Sequence, residues 1–373
     1  MGSTGIVLNS SVRSDHKENT HIISRIPVRR ILQFSGQAYQ SSVFIREYGI
    51  NSGYNLYISH IDMRNNQPLT FTDKERICER IFTQEGPFWH LYTDGTKMQN
   101  IFNSDEDFEF GLNLLAVSKC RNPEVKIIAF ELMKNHLHMV LSGKADGCMK
   151  MFDDYKRRLR RVFRQSGRIA DWRTFDADLI HIDNLKSLRN EIIYVHRNAF
   201  VAHALYTPYN YPWGSGVAYF NPMFNEIPTT DFNRMTYDDR RAYAHVRDIR
   251  GLDRLKFQGS RVYIPSFCNI NLGESLFNDP RSYFNALTRN SEAFSEIATR
   301  LKDSIFLTDD EMFAAAMRYA VQEFNIKQLV LLNPEQKIHL AKELHFRYKA
   351  SNQQLRRILK LEIELLNEMF PNP

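Results

Sequence analysis

Cysteine is scarce in this 373-residue sequence, and its four copies are spread widely along the chain: Cys78, Cys120, Cys148 and Cys268. No two of them form a Cys-x-x-Cys pair, which argues against a zinc site built on cysteines. So few cysteines in a chain of this length suit a reducing compartment rather than a disulfide-stabilised secreted protein.

Long apolar runs are also lacking. No segment reaches the roughly 20 apolar residues that a membrane-spanning helix needs, and residues 1–21 do not show the basic-then-apolar pattern of a signal peptide. We therefore expect a cytoplasmic protein with no membrane partner. The charge imbalance is small, because 49 Lys and Arg face 43 Asp and Glu for a net charge of +6. This excess permits a polyanionic partner without requiring one.

Five segments follow one another along the chain. Residues 1–22 are polar and predict a disordered tail, and 23–84 form an N-terminal extension of unknown role. The sharpest pattern lies in 85–220, which predicts the catalytic domain. A mixed α/β connecting region, 221–306, precedes the mainly helical segment 307–373.

The pattern of 85–220 alternates strands and helices. In chain order it predicts a strand FWHLYTD, a helix Ser104–Cys120, a hairpin of EVKIIAFELM and HLHMVLS, a basic helix over 146–166, a strand Leu179–Ile182 and a helix Leu185–Leu205. Two central strands joined by a hairpin, with helices between the others, predict an antiparallel sheet covered by helices, which is an α+β fold.

His136 and His138 stand two residues apart on the second strand of this hairpin. Side chains two apart on a strand point to the same face, so both imidazoles could bind one divalent ion. The alternative is that one imidazole is buried and hydrogen-bonded while the other is exposed. The pair alone does not decide between these interpretations.

Tyr194 lies on the helical segment NEIIYVHRNAFVAHAL, with Asn198 one turn later on the same face. A tyrosine hydroxyl has an ordinary pKa near ~10 and is a poor nucleophile at neutral pH. A metal that polarises a phosphate would let it attack and form a phosphotyrosine. The amide oxygen of Asn198 could serve as a third ligand, and such a ligand set tolerates Mg²⁺ or Mn²⁺. The alternative is a core aromatic on an amphipathic helix.

Seven basic residues and no acid occupy the segment KRRLRRVFRQSGR. The candidate DNA-binding residues on this helix are Lys156, Arg157, Arg158, Arg160, Arg161 and Arg164. A charge run of this kind is usually a solvated helix face. We favour phosphate contact because the segment lies between the histidine strand and the tyrosine helix.

The C-terminal segment carries repeated helix-start signals. Thr308-x-x-Glu311 and Ser351-x-x-Gln354 have the capping-box pattern, and Asn333 precedes a proline at the first helical position. Two short helices joined by RYKA predict a helix-turn-helix that contacts duplex DNA. Its candidate contact residues are Arg356, Arg357 and Lys360. The alternative is a small helical bundle used for packing or dimerisation.

Taken together, WHLYTDG, IFNSDEDFEFGLNLLAVSKC, IIAFELMKNHLHMVLSG, IIYVHRNAFVAHAL and YPWGSG resemble the REP-associated tyrosine transposases of the single-tyrosine HUH superfamily. The resemblance covers roughly residues 86–216. It implies a ferredoxin-like antiparallel sheet with flanking helices, a metal bound by His136 and His138, and Asn198 as a third ligand. It also implies that Tyr194 joins the DNA 5′ phosphate and frees a 3′ hydroxyl.

The sequence departs from the family pattern at three positions. Lys134 stands where the family commonly has proline before the metal strand, Ala199 follows Asn198 where the family commonly has proline, and His203 replaces a glycine. None of these departures removes a catalytic group. They leave open an altered choice of DNA.

The sequence therefore predicts a metal-dependent single-strand DNA endonuclease of the transposase type. Its expected partners are single-stranded or hairpin DNA, and a homodimer stays open. Two other functions also stay open: a DNA-binding protein that kept the fold and lost the chemistry, and a replication or conjugation nickase of the same superfamily.

Overall fold

The computed structural model describes residues 61–62, 67–168, 170–202, 206–289, 291–301 and 307–371. These residues all belong to one compact unit, Val43–Pro373. The predicted tail 1–22 and most of the extension lie outside the described residues. The segment boundaries predicted from the sequence stay predictions.

Most of the described strands belong to two antiparallel sheets, one of four strands and one of three. The four-stranded sheet is formed by β3 (Phe88–Thr93), β4 (Lys126–Leu132), β5 (Leu137–Ser142) and β6 (Ala177–Ile182), in the spatial order β4-β5-β3-β6. All its neighbouring pairs are antiparallel. A three-stranded sheet joins β7 (Thr230–Asp231), β8 (Lys256–Gln258) and β9 (Arg261–Val262), and β1 (Ile61–Asp62) pairs with β2 (Gln67–Pro68).

The N-terminal helices are α1 (Phe71–Glu85), α2 (Asp105–Arg121), α3 (Ala145–Gln165) and α4 (Leu185–Ala202). The predicted start of α2 is confirmed: the Ser104 side chain accepts a hydrogen bond from the Asp107 amide, and the Asp107 carboxylate accepts one from the Ser104 amide. Helix α2 packs along α3, whereas α4 packs against β4 and β5. This packing brings α4 to the strand that carries the two histidines.

The connecting region contains α5 (Tyr237–Ala244), α6 (Ile270–Ser275), α7 (Pro280–Arg289) and α8 (Ser291–Leu301). Helices α7 and α8 cover the stretch from Pro280 to Leu301 on the two sides of residue 290, which lies outside the described residues. Strand β9 ends at Val262. Ile264 begins a tight 3-10 turn that contains Pro265, which has no amide hydrogen for the strand ladder.

The C-terminal helices are α9 (Asp309–Phe324), α10 (Pro334–Tyr348), α11 (Asn352–Leu359) and α12 (Ile363–Met369). The predicted caps at Thr308 and Asn333 form full capping boxes. Ser351 caps α11 by accepting the Gln354 amide. The prediction of a mainly helical C-terminal region is thus confirmed.

Two clusters of buried residues hold the described part of the chain together. The sheet core surrounds the four-stranded sheet and α1 to α7, with members such as Leu115, Phe130 and Val140. The helical core lies among α8 to α12, and its members include Phe294 and Leu344. Among the described residues, no helix is both long and apolar enough to cross a membrane. The predicted α+β class is confirmed: a four-stranded antiparallel sheet with helices precedes a helical region.

Candidate functional site

The two predicted metal-ligand histidines meet on one side of the four-stranded sheet. His136 stands one residue before β5, and His138 lies within the strand, opposite Tyr92 on β3. Their ring centroids are 5.2 Å apart and the ring planes are almost perpendicular. Both residues are buried, with 8% and 1% of their surface exposed. The alternative of one exposed imidazole therefore does not hold.

His136 is held in place by the loop that connects β3 to α2. Its Nδ1 donates to Asn135 Oδ1 at 2.8 Å, and Asn135 Nδ2 donates to the Gly95 carbonyl at 2.6 Å. A Cβ atom at Gly95 would lie 2.7 Å from His136 Nδ1, so only glycine fits there. The hydrogen bond places the proton on Nδ1, which leaves the imidazole lone pair on Nε2.

Helix α4 brings Tyr194 to this pair. The Tyr194 ring centroid lies 5.3 Å from that of His138 and 5.8 Å from that of His90 on β3. The tyrosine is only 1% exposed, because Phe294 of α8 stacks on it at 5.1 Å. Tyr194 belongs to the helical core although its helix neighbours Ile193 and Val195 belong to the sheet core.

Asn198, the predicted third ligand, is also buried. Its Nδ2 donates to the Tyr194 carbonyl at 3.1 Å, one turn back in the same helix. Among the described residues, no group of three or more His, Cys, Asp or Glu is placed to hold a metal ion. The two imidazoles fit a divalent ion by their chemistry, and the third ligand predicted from the sequence is the amide oxygen of Asn198.

A chain of buried groups behind His138 is absent from the sequence prediction. His90 Nε2 lies 3.1 Å from His138 Nδ1, and His90 Nδ1 donates to Glu191 Oε2 at 2.6 Å. Arg300 of α8 binds the second oxygen of Glu191. Since a carboxylate only accepts, the proton of a neutral His90 sits on Nδ1, and His138 Nδ1 then donates to His90 Nε2. This fixes the His138 lone pair on Nε2, as in His136.

The electrostatics of this chain favour a neutral His90 beside a charged Glu191. Burial lowers the pKa of His90, and the neighbouring Glu191 offsets only part of this effect. Burial alone would raise the pKa of Glu191, but His90 and Arg300 outweigh it and hold that pKa below its ordinary value. Glu191 precedes Tyr194 by three residues on one helix face, and this spacing could have indicated from the sequence that Glu191 belongs to the site. His90 is a single histidine in a strand, and no sequence pattern indicates its role.

The candidate DNA-binding residues of α3 are spread around the helix. Lys156 lies 3.6 Å from Asp176, Arg157 and Arg158 both pair with the buried Asp154, and Arg161 donates to the His245 carbonyl at 2.9 Å. Arg160 and Arg164 are exposed. Half of the predicted set is therefore engaged within the protein by carboxylates.

On α11, Arg356 and Lys360 are exposed, whereas Arg357 donates to both oxygens of Asp309 on α9 at 2.6 and 2.9 Å. Leu355, Ile358 and Leu359 are buried in the helical core. The helix thus packs on one face and presents its basic residues on the other.

The described residues thus bring together His136, His138 and Tyr194, with Asn198 in the same helix as the tyrosine and the basic residues elsewhere. Two residues that the sequence prediction missed, His90 and Glu191, complete the buried cluster. Comparison of the chain with protein-family models, with curated proteins and with solved structures finds no match.

Proposed function

We propose that this chain cleaves and rejoins single-stranded DNA through a covalent bond between Tyr194 and a 5′ phosphate, as single-tyrosine HUH transposases do. The observation that carries the proposal is the approach of Tyr194 to His138, with 5.3 Å between ring centroids, beside the second histidine of the pair. Tyr194 and His138 are 56 residues apart in the sequence, so no local periodicity requires their meeting.

The strand order supports the proposed ferredoxin-like HUH fold. The element order is β3-α2-β4-β5-α3-β6, and the sheet order is β4-β5-β3-β6 with antiparallel neighbours. This is the strand-helix-strand repeat of ferredoxin-like domains, in which the first and third strands are central. His138 lies on one central strand, with His136 directly before it, and His90 lies on the other.

We propose Mg²⁺ or Mn²⁺ as the cofactor, with His136 and His138 as ligands and Asn198 as the third. When bound, the ion supplies Lewis-acid polarisation of the target phosphate. The residues behind the site orient its ligands: Glu191 fixes the proton of His90, and His90 fixes that of His138. Such outer contacts typically set the tautomer and ring orientation of a metal-binding histidine.

In the proposed reaction, the hydroxyl oxygen of Tyr194 bonds to the phosphorus of a phosphodiester. The bond from phosphorus to the 3′ oxygen breaks, and that oxygen takes a proton to become a free 3′ hydroxyl. The phenol loses its own proton. Reversal of the same steps by another 3′ hydroxyl rejoins the strand and restores Tyr194.

Cleavage requires that α8 separate from Tyr194. At 1% exposure, with Phe294 stacked on its ring, the tyrosine cannot meet a phosphate in the described arrangement. The same burial favours a second candidate function, a DNA-binding protein that keeps the fold without the chemistry. The two candidate functions differ in one product: only the cleaving enzyme forms a covalent adduct with DNA.

The test is to incubate the full chain with Mn²⁺ and a labelled set of single-stranded oligonucleotides and to separate the products under denaturing conditions. The proposal predicts a labelled protein band that EDTA abolishes. His136→Ala and His138→Ala should each abolish the band but keep oligonucleotide binding, because basic side chains supply most of the affinity. Binding without any band in the parent protein supports the non-catalytic candidate.

A further inference from the structure

A concave basic surface in the described residues shares no lining residue with the histidine–tyrosine cluster. This arginine groove encloses about 720 Å³, within the roughly 300–1,000 Å³ of ordinary ligand sites. It lies among the end of α2, the second half of α3, and α5 with the turn that follows. Its lining consists of Arg121, Arg158, Arg161, Gln165, Arg241, His245, Val246, Arg247 and Asp248.

Positive charge dominates the lining, with five arginines and one aspartate. That aspartate, Asp248, accepts two hydrogen bonds from Arg250 at 2.9 and 3.0 Å, and Arg121 lies 3.6 Å away. Bonding to Arg250 and the charge of Arg121 hold the pKa of Asp248 well below its ordinary value. The only acid of the lining is therefore already neutralised by neighbouring arginines.

The groove has a fixed floor. Arg161 donates to the His245 carbonyl at 2.9 Å, and Arg121 donates to the Asp248 carbonyl at 2.5 Å. The two arginines thus clamp both ends of the turn 245–248. Arg158 is fixed by its Nε hydrogen bond to Asp154 at 2.7 Å. Three guanidinium groups are in this way held in place by the protein itself.

The remaining two arginines, Arg241 and Arg247, are exposed. Among the described residues, neither side chain makes a hydrogen bond or an ion pair within the protein. A planar guanidinium with five donors matches phosphate oxygens in a bidentate way. Two such groups on the rim of a fixed basic groove can each bind a separate phosphate.

We propose that the arginine groove binds the phosphate backbone of DNA, with Arg241 and Arg247 contacting two phosphates of one strand. The choice of DNA as the source of these phosphates rests on the proposed function. The groove extends the predicted contact surface beyond α3, because Arg121, Arg241 and Arg247 come from other elements. It binds DNA at a place separate from the residues that would cut it.

The experiment measures binding of a fluorescent DNA hairpin with a single-stranded tail over a range of salt concentrations. For the double variant Arg241→Gln/Arg247→Gln, we expect the slope of log affinity against log salt to become shallower by about 2, since each phosphate contact contributes about 0.9. Affinity at about 0.1 M salt should fall roughly tenfold.

The matched control is Arg80→Gln/Arg281→Gln, which removes the same charge from exposed arginines on α1 and α7. Its salt slope should equal that of the parent protein. Equal losses in both double variants, or no loss in the groove variant, would overturn the proposal. So would competition by polyglutamate as strong as that by an oligonucleotide of equal charge, because the groove would then suit an acidic protein.

Failure of this proposal is distinguishable from failure of the proposed function. The groove is tested by binding alone, whereas cleavage is tested by the covalent adduct of the parent protein. A parent that binds the hairpin through the groove without forming an adduct supports the groove and contradicts the cleavage.

Discussion

Two buried polar groups of the sheet core, Glu131 and His196, are neutral, whereas the buried groups where α4 meets the helical core are charged and paired. In the sheet core, burial raises the pKa of Glu131 well above its ordinary value and lowers that of His196 to about 3. His196 is held by the hydroxyls of Ser215 and Tyr283, each at 2.8 Å. Neither Glu131 nor His196 therefore carries a charge in the sheet core.

The boundary with the helical core is different. Here Glu191, Tyr194 and Arg197 of α4 face Phe294 and Arg300 of α8 and Glu311 of α9, and we call this contact the α4 seam. Arg197 donates to Glu311 at 2.6 Å with both side chains almost fully buried. Buried ion pairs gain little over apolar contacts, because desolvation offsets their attraction.

The two regions differ in how readily they can open. The sheet core is held by apolar packing, whereas the α4 seam depends on ion pairs and on one aromatic stack. We therefore expect α8 to separate from Tyr194 before the sheet core loosens.

The largest effect is expected from Arg197→Met. The substitution leaves Glu311 buried without its cation, which typically costs about 3–5 kcal/mol of unfolding free energy. Urea denaturation measures the loss. The control is Arg357→Met, which breaks the half-exposed pair with Asp309 and should cost about 0–1 kcal/mol. Equal losses of unfolding free energy in the two variants would contradict the claim that the buried pair matters more than the half-exposed one.

Glu131→Gln should raise the unfolding free energy at neutral pH, whereas Arg197→Met lowers it. Because the folded pKa of Glu131 is raised, ionisation in the unfolded state lowers the stability of the parent as pH rises above about 4.5. The advantage of the variant over the parent should therefore grow with pH above about 4.5, by at most about 1.4 kcal/mol per pH unit.

Glu191→Gln is the matched control for this pH dependence. The folded pKa of Glu191 is lowered, so its contribution is present above about pH 4.5 and is lost as pH falls through the folded pKa. This variant should lose stability at pH 7 and approach the parent in acid. The same sign of pH dependence in Glu131→Gln and Glu191→Gln would contradict the account of neutral core and charged seam.

His90→Ala should weaken Mn²⁺ binding about 10–100-fold, since it removes the group that orients His138. Electron paramagnetic resonance of Mn²⁺ gives this affinity without DNA or turnover. His90→Gln, whose amide can still accept from His138, should restore part of it. The control is His181→Ala, a half-exposed histidine on β6 bonded to Asp183. Unchanged Mn²⁺ affinity in His90→Ala would show that the buried chain does not serve a metal.

The smallest effect is expected from Phe294→Leu. A loss of roughly 1 kcal/mol at the α4 seam should raise the open fraction, and with it the rate of adduct formation, about fivefold. Phe257→Leu makes the same change on β8 in the sheet core, at a similar burial. It should lower stability without raising the rate. Equal rates in both variants would mean that opening of the seam does not limit access to Tyr194.

Local signals in the sequence sufficed for much of the fold. Ser104 and Asp107 fix the start of α2, and the spacing of His136 and His138 brings both imidazoles to the same side at the start of β5. The α4 seam could not be predicted in this way. Arg300 meets Glu191 across 109 residues, and no local periodicity encodes such a pairing.

The most direct test of the proposed chemistry is to digest the adduct and map it by mass spectrometry. We predict one modified peptide, with a nucleotide attached to Tyr194. Tyr194→Phe should yield no adduct while keeping its fold and its affinity for DNA, because only one buried oxygen is removed. An adduct that persists in Tyr194→Phe, or that maps to another residue, would contradict Tyr194 as the nucleophile.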